Sequence, residues 1–329
     1  MKRFFSIILV ITITINAMAY KPKDFDKYID KLDVWEYVKD APREHPAYFW
    51  AAIVKNDPKG QQFAKDREKG KETALNALRA IAEGQLASAE YIMSLEPIYE
   101  AKAYCDSLTS WIGLGDLQDY KISVYCDSDP NAFCTPQGEI FIADSLVYLQ
   151  NFDSSRMLGI TAHETAHYML AHSLIGAYET EKRLKKNKIA GAIVAGVNAA
   201  ATAYAQAQGA YTEETAAKAW EQVNETTLGL FNAAYRDAYG KFRYKYSREQ
   251  EIQSDLVAIR FLQWNGLSGQ EYIAALRELG TEADKYYDSK SDHPKMEFRI
   301  ALLEYLLSDY VPKSQRGKKE KKGGDPIYE

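Results

Sequence analysis

The segment Ala162-His-Glu-Thr-Ala-His-Tyr-Met-Leu-Ala-His172 holds three of the chain's five histidines. Within it, His163, Glu164 and His167 spell H-E-x-x-H. On a helix, positions i and i+4 lie one turn apart on one face, so both imidazoles reach a single divalent ion. Glu164 stands beside them and can hold a metal-bound water. Chance supplies this pattern in roughly one chain in a hundred of this length or fewer.

Zinc needs three protein ligands if one coordination position is to stay open. His172 follows His163 by nine residues, about 180° around an unbroken helix at 100° per residue. It is therefore expected to point away from the ion. The longer H-E-x-x-H-x-x-G-x-x-H pattern fails, because position 170 is Leu and position 173 is Ser. A glutamate from another helix is the better third ligand, and Glu251 is the candidate. Glu251 and Asp255 are i and i+4, on a face shared with Ala258 and Leu262. Carboxylates on a face that turns apolar must be paired or metal-bound to be buried. Glu251 as ligand meets that need, with Asp255 accepting the spare ring N–H of a ligand histidine. The plainer reading of the same pair is a solvated, acidic helix start. His293 and Arg299 are candidates to steady the oxyanion of a tetrahedral intermediate. A capping loop and a surface arginine explain them equally well.

These residues need helices to hold them. The motif helix should start at Asp153 or Ser154, both good N-caps, and be largely buried, since Leu158, Ile160, Ala162, Ala166, Met169 and Leu170 are apolar on several sides. Ser247-Arg-Glu-Gln250 is a capping-box pattern that opens a helix running to about Trp264, stopped by Asn265-Gly266. Ser268-Gly-Gln-Glu271 is a second, its helix ending near Gly280. Pro294 suits the first turn of a final helix carrying Ile300, Leu302, Leu303, Leu306 and Leu307. Upstream, Lys121–Cys126, Asn131–Cys134 and Glu139–Ala143 alternate like strands between turn residues, which predicts a small antiparallel meander. An exposed edge of it can pair with an extended peptide; otherwise the sheet only buttresses the helix.

Residues 20–100 are helical in pattern, with Ala74, Leu75, Ala77, Leu78, Ile81 and Ala82 at helical spacing, and again Leu86, Ala89, Ile92 and Leu95. No catalytic constellation stands out there. Residues 174–245 separate the two chemically interesting helices. Within them 189–207 is rich in alanine and glycine but interrupted by Asn198, Thr202 and Gln206, which favours a packed or interfacial helical insertion over a membrane span. The expected layout is a signal peptide (1–19), an N-terminal helical region (20–100), a catalytic domain (101–312) and a basic disordered tail (313–329).

Met1-Lys2-Arg3, an apolar run from Phe4 to Ile15 and Ala17-Met-Ala19 are the parts of a cleaved signal peptide, with cleavage expected after Ala19. Losing Lys2 and Arg3 takes the formal charge from −5 to −7, which excludes nucleic acid as an expected partner. The apolar content of 46% supports a substantial core. Cys105, Cys126 and Cys134 allow one disulfide with a thiol left over; their spacing matches no zinc knuckle.

Three blocks, Ala162–His172, Ser247–Asp255 and Asp292–Ile300, occur in this order and together resemble the HtpX-type zinc metallopeptidases, metallopeptidase family forty-eight, which includes the CAAX prenyl proteases and soluble periplasmic BepA-like members. The resemblance covers roughly residues 100–310. It implies an α+β, gluzincin-type fold with one Zn2+ per chain, held by His163, His167 and Glu251. Glu164 would be the base and Asp255 a support behind a ligand. The His293 loop and Arg299 would act on the transition state or gate the site, and the strand at Asn131, Ala132 and Phe133 would hold the substrate backbone. The implied activity is a zinc-dependent endopeptidase acting on exported, misfolded or membrane-associated envelope polypeptides. The chain departs from the membrane-embedded members, which carry several spans, and from BepA-like members, which carry a repeat-rich C-terminal domain. Two other readings stay open: a chaperone-like zinc protein whose site is plugged, with His293 as fourth ligand, and a protease touching the membrane through 189–207.

Overall fold

The computed structural model describes residues 20–79, 81–82, 99–115, 120–135, 138–186, 247–283 and 295–316. The signal-like segment 1–19, the pattern at 86–95, the alanine-rich stretch 189–207, His293, Pro294 and the tail beyond 316 lie outside them.

Among the described residues the fold is mainly helical with one small sheet, an α+β arrangement organised around the motif helix Ser154–Met169. Asp153 caps this helix, accepting from the backbone N–H groups of Ser155 and Arg156, both at 3.0 Å. Every residue from Met157 to His167 is buried. The glutamate helix, Arg248–Trp264, packs along it, as do the helices Gln270–Ala283 and Tyr99–Ile112. The capping box is formed: Gln250 N–H reaches Ser247 Oγ at 3.3 Å, and Ser247 N–H reaches Gln250 Oε1 at 2.8 Å. This fixes the helix start immediately before Glu251. Gly266, at φ 84°, ends the helix in a conformation that only glycine adopts at low cost.

The sheet corrects one expectation. Strands β1 (Lys121–Tyr125), β2 (Ala132–Cys134) and β3 (Glu139–Ala143) are ordered β1-β3-β2, and the pattern is mixed. β1 runs parallel to β3, with Lys121 opposite Glu139 and Tyr125 opposite Ala143. Only β2 and β3 form an antiparallel pair, with Phe133 opposite Phe141. A meander would pair β1 with β2. Instead residues 126–131 carry the chain past the sheet, and the most apolar strand takes the centre, with Ile140, Phe141, Ile142 and Ala143 all buried. Alternation identifies a strand but not its neighbour. β2 is left at an edge, against the motif helix.

One hydrophobic core runs through the sheet, the motif helix, the glutamate helix and the final helix Met296–Ser308, and it includes the N-terminal residues Phe25, Ile29, Phe49 and Trp50. Trp50 stacks on Phe261 of the glutamate helix with ring centroids 4.9 Å apart. Arg260 forks onto Asp33 at 2.9 and 2.6 Å. The N-terminal helices thus brace the element that carries Glu251 and Asp255. A smaller cluster of Phe63, Ala74, Ala77, Ile175, Ala177 and Tyr178 seats the helical segment 172–186. Among the described residues, no helix is long and apolar enough to cross a membrane.

Candidate metal centre

His163, His167 and Glu251 are all buried and offer ligand atoms within 4.8 Å of one another; among the described residues this is the one such group. His163 Nε2 and His167 Nε2 are 3.1 Å apart. Glu251 closes the triangle, with Oε2 at 3.7 Å from His163 Nε2 and Oε1 at 3.7 Å from His167 Nε2. An ion bound tetrahedrally through bonds of about 2.0–2.1 Å has ligand-to-ligand edges of about 3.3–3.4 Å. The three edges bracket that value, so the residues fit a zinc-sized ion. Glu164 Oε1 lies 4.0 Å from His163 Nε2, within reach of a fourth position but outside the triangle.

The far nitrogens of both imidazoles are occupied, which leaves the two Nε2 atoms as the inward-facing donors. His163 Nδ1 lies 2.9 Å from Asp255 Oδ1 and 2.9 Å from the hydroxyl of Tyr272. Tyr272 donates its own proton to Asp255 Oδ1 at 2.7 Å. Arg299 grips the same carboxylate, Nε to Oδ2 at 2.7 Å and Nη2 to Oδ1 at 2.6 Å, and its Nη1 lies 3.6 Å from Glu251 Oε2. This buried network fixes the charges. Burial alone would raise the Asp255 carboxyl, but Arg299 and His163 hold it well below the usual carboxylate range. Burial likewise opposes the charge on Arg299, and Asp255 outweighs it. Burial and Asp255 together push the Tyr272 phenol far up, so it remains an O–H donor. At His163, burial disfavours the cation, yet the bond to Asp255 prevails and the net direction is upward.

His167 has a different partner. The motif helix stops at Met169, and Ala171 takes the left-handed conformation at φ 48°. That break turns His172 back toward the site, where its Nδ1 lies 2.9 Å from His167 Nδ1. His172 is not among the ligand group, but it does not point away as an unbroken helix would require. Burial lowers its pKa to about 3.

The structure therefore brings His163, Glu164, His167, Glu251, Asp255 and Arg299 into one buried cluster. His293 is outside the described residues. Asn131, Ala132 and Phe133 lie on or beside β2, which packs on the motif helix. No disulfide joins Cys105, Cys126 and Cys134. Burial pushes the Cys105 thiol up to about 12 and raises Cys134 well above its ordinary value, while Asp144 raises Cys126. None is a thiolate nucleophile at neutral pH.

Two residues of the cluster escaped the sequence reading. Tyr272 is indistinguishable from core by its spacing, and His172 was judged on helix continuity. A third, Gly159, makes room for Tyr272. A Cβ on Gly159 would sit 2.8 Å from Tyr272 Cβ and 2.9 Å from its ring. Gly159→Ala should therefore destabilise the protein by about 1–3 kcal/mol through overpacking. It should also loosen metal binding as Tyr272 shifts off His163. Urea unfolding and metal titration check both; an alanine variant matching wild type in each shows that Tyr272 can move freely.

Two ligand histidines one turn apart on one helix, with a glutamate from a second, make up the ligand set of a gluzincin-type metallopeptidase. A family model described as Peptidase family M48 matches residues 100–307, and the chain belongs to that family. No curated protein matches the chain.

Proposed function

We propose that this metallopeptidase is a zinc-dependent endopeptidase of the cell envelope, acting on exported or misfolded polypeptides. The observation that carries the reading is the triangle of His163 Nε2, His167 Nε2 and the Glu251 carboxylate, with edges of 3.1, 3.7 and 3.7 Å and Glu164 beside it. His163, His167 and Glu251 would hold the zinc ion, which would supply Lewis acidity toward the scissile carbonyl and make a nearby water acidic enough to lose its proton near neutral pH. Glu164 takes the proton from the attacking water and delivers it to the leaving amine. Asp255 sets the tautomer of His163, so that Nδ1 carries the proton and Nε2 faces inward. Arg299 acts behind the ligands: two of its nitrogens are committed to Asp255, which suits neutralising the buried carboxylates better than holding an oxyanion.

The edge strand suggests how a polypeptide is held. Ala143 N–H donates to Asn131 C=O at 2.8 Å, and Thr135 N–H to Glu139 C=O at 2.8 Å. By the alternation of an antiparallel ladder, Ala132 turns its N–H and C=O away from β3, toward the edge. An extended substrate adding there pairs main chain to main chain, which suits unfolded polypeptides of varied sequence. The envelope assignment rests on the signal-like pattern of residues 1–19, and kinship with soluble BepA-like members is part of the same proposal.

The test is cleavage of an unfolded exported protein by the purified enzyme. Hydrolysis should stop with a chelator and return with zinc. Cleavage that persists with the metal removed sinks the proposal. Within the site, Asp255→Ala should weaken zinc affinity about 10–100-fold, because His163 loses the acceptor that orients it. Competition against a chromophoric chelator measures this, and unchanged affinity would remove Asp255 from that role.

A further inference from the structure

We propose that His172 is a positioning residue for the metal centre: by accepting the proton of His167 Nδ1–H, it holds His167 as an Nε2 ligand. The inference rests on the zinc reading above. It assigns to a neutral imidazole, on the second ligand histidine, the task that Asp255 performs on the first.

The geometry is directional. If His167 binds an ion through Nε2, its proton sits on Nδ1, and the group facing it at 2.9 Å is His172 Nδ1. That atom must then be a bare acceptor, so His172 carries its own proton on Nε2. Nε2 faces an acceptor, the side-chain oxygen of Gln253, at 3.3 Å. The chain of bonds from His167 to His172 to Gln253 runs in one sense with a partner at each step. Reversing the His172 tautomer would set two N–H groups against each other.

The seat of His172 is built by the helix that carries Glu251. Gln250 Nε2 donates to the His172 backbone carbonyl at 2.7 Å, Gln253 meets the ring edge, and Ser254 Oγ lies 3.5 Å from Nδ1. All three come from the first two turns of the glutamate helix. That helix thus supplies one ligand directly, orients His163 through Asp255 and orients His167 through His172. The left-handed turn at Ala171 brings His172 within reach. Because the backbone bond from Gln250 does not involve the ring, side-chain variants keep the anchor that fixes the segment.

The experiment compares His172→Asn, whose amide oxygen replaces the Nδ1 acceptor, with His172→Phe, which keeps the ring volume and loses the acceptor. Zinc affinity is read by chelator competition, and coordination by the visible spectrum of the cobalt-substituted protein. The phenylalanine variant should bind zinc about 10–100-fold more weakly with an altered cobalt spectrum, and the asparagine variant should stay within about threefold of wild type. Equal affinity in wild type and His172→Phe, or equal losses in both variants, overturns the proposal. Should either variant fail to fold, the zinc-loaded wild type decides: a long-range 1H–15N spectrum should show His167 protonated at Nδ1 and His172 at Nε2, and a proton on His172 Nδ1 overturns the assignment. A wild type that binds no zinc sinks the metal reading itself, an outcome distinct from tight binding that ignores residue 172.

Discussion

Glu164→Gln should lower the rate of peptide hydrolysis by roughly 10²–10⁴-fold, the usual contribution of a positioned general base. The variant should still bind zinc as the wild type does. The side chain keeps its shape, so the motif helix, buried from Met157 to His167, has no reason to rearrange. The amide cannot take a proton from water, so only the transfer step is lost. Glu164 lies outside the triangle of His163, His167 and Glu251, and its removal therefore takes no donor from the ion. The check is a pair of measurements on one preparation: turnover of an unfolded polypeptide, and bound metal per chain. Loss of zinc together with activity would make Glu164 a ligand; retained activity would mean that another group moves the proton.

Much of this centre was legible in the sequence because its rules are local. Two histidines four apart need only a helix to converge, and the two good N-caps Asp153 and Ser154 placed the helix start to within a residue, with Asp153 taking the cap. The Ser247–Gln250 capping box fixed the register of the second helix, so Glu251 and Asp255 had to share a face. What failed was not local. β1 was recognised as a strand, but its parallel partner β3 is chosen by which strand is most apolar and can be buried at the centre. His172 is no ligand, as expected, but extrapolating a helix through Ala171, a residue type that rarely adopts φ 48°, misses that one left-handed residue seats it behind His167. Tyr272 looks like any core aromatic until its hydroxyl is found 2.9 Å from His163. For Arg299 the sequence leaves a part in the transition state or in gating open beside an ordinary surface arginine. Its fork on Asp255 emerges only when helices distant in sequence are packed together.

Arg299→Met should destabilise the metal-free protein by about 3–5 kcal/mol, the cost of leaving a buried charge without its partner. Asp255 loses two hydrogen bonds at 2.7 and 2.6 Å, and Glu251 loses the cation 3.6 Å away. Both carboxylates are buried, so water cannot replace the guanidinium. Arg299→Lys should recover only part of the loss, since an ammonium cannot fork onto both oxygens. The double change Arg299→Met with Asp255→Leu separates fold from function. It removes both charges, and replacing a buried pair by apolar groups is often neutral for stability. Its unfolding free energy should therefore lie well above that of Arg299→Met alone. His163 would still face the Tyr272 hydroxyl at 2.9 Å, a neutral acceptor in place of an anionic one, so zinc affinity should stay depressed while stability returns. Urea unfolding in the presence of a chelator, on the two single variants and the double, yields the coupling directly. Zinc added to Arg299→Met should restore part of its stability, because an ion that binds only the folded chain shifts the equilibrium toward it. A loss below about 1 kcal/mol in Arg299→Met would mean that the pair behaves like a solvated surface bridge, and the buried charge network would then have no part in holding Glu251 ready for metal.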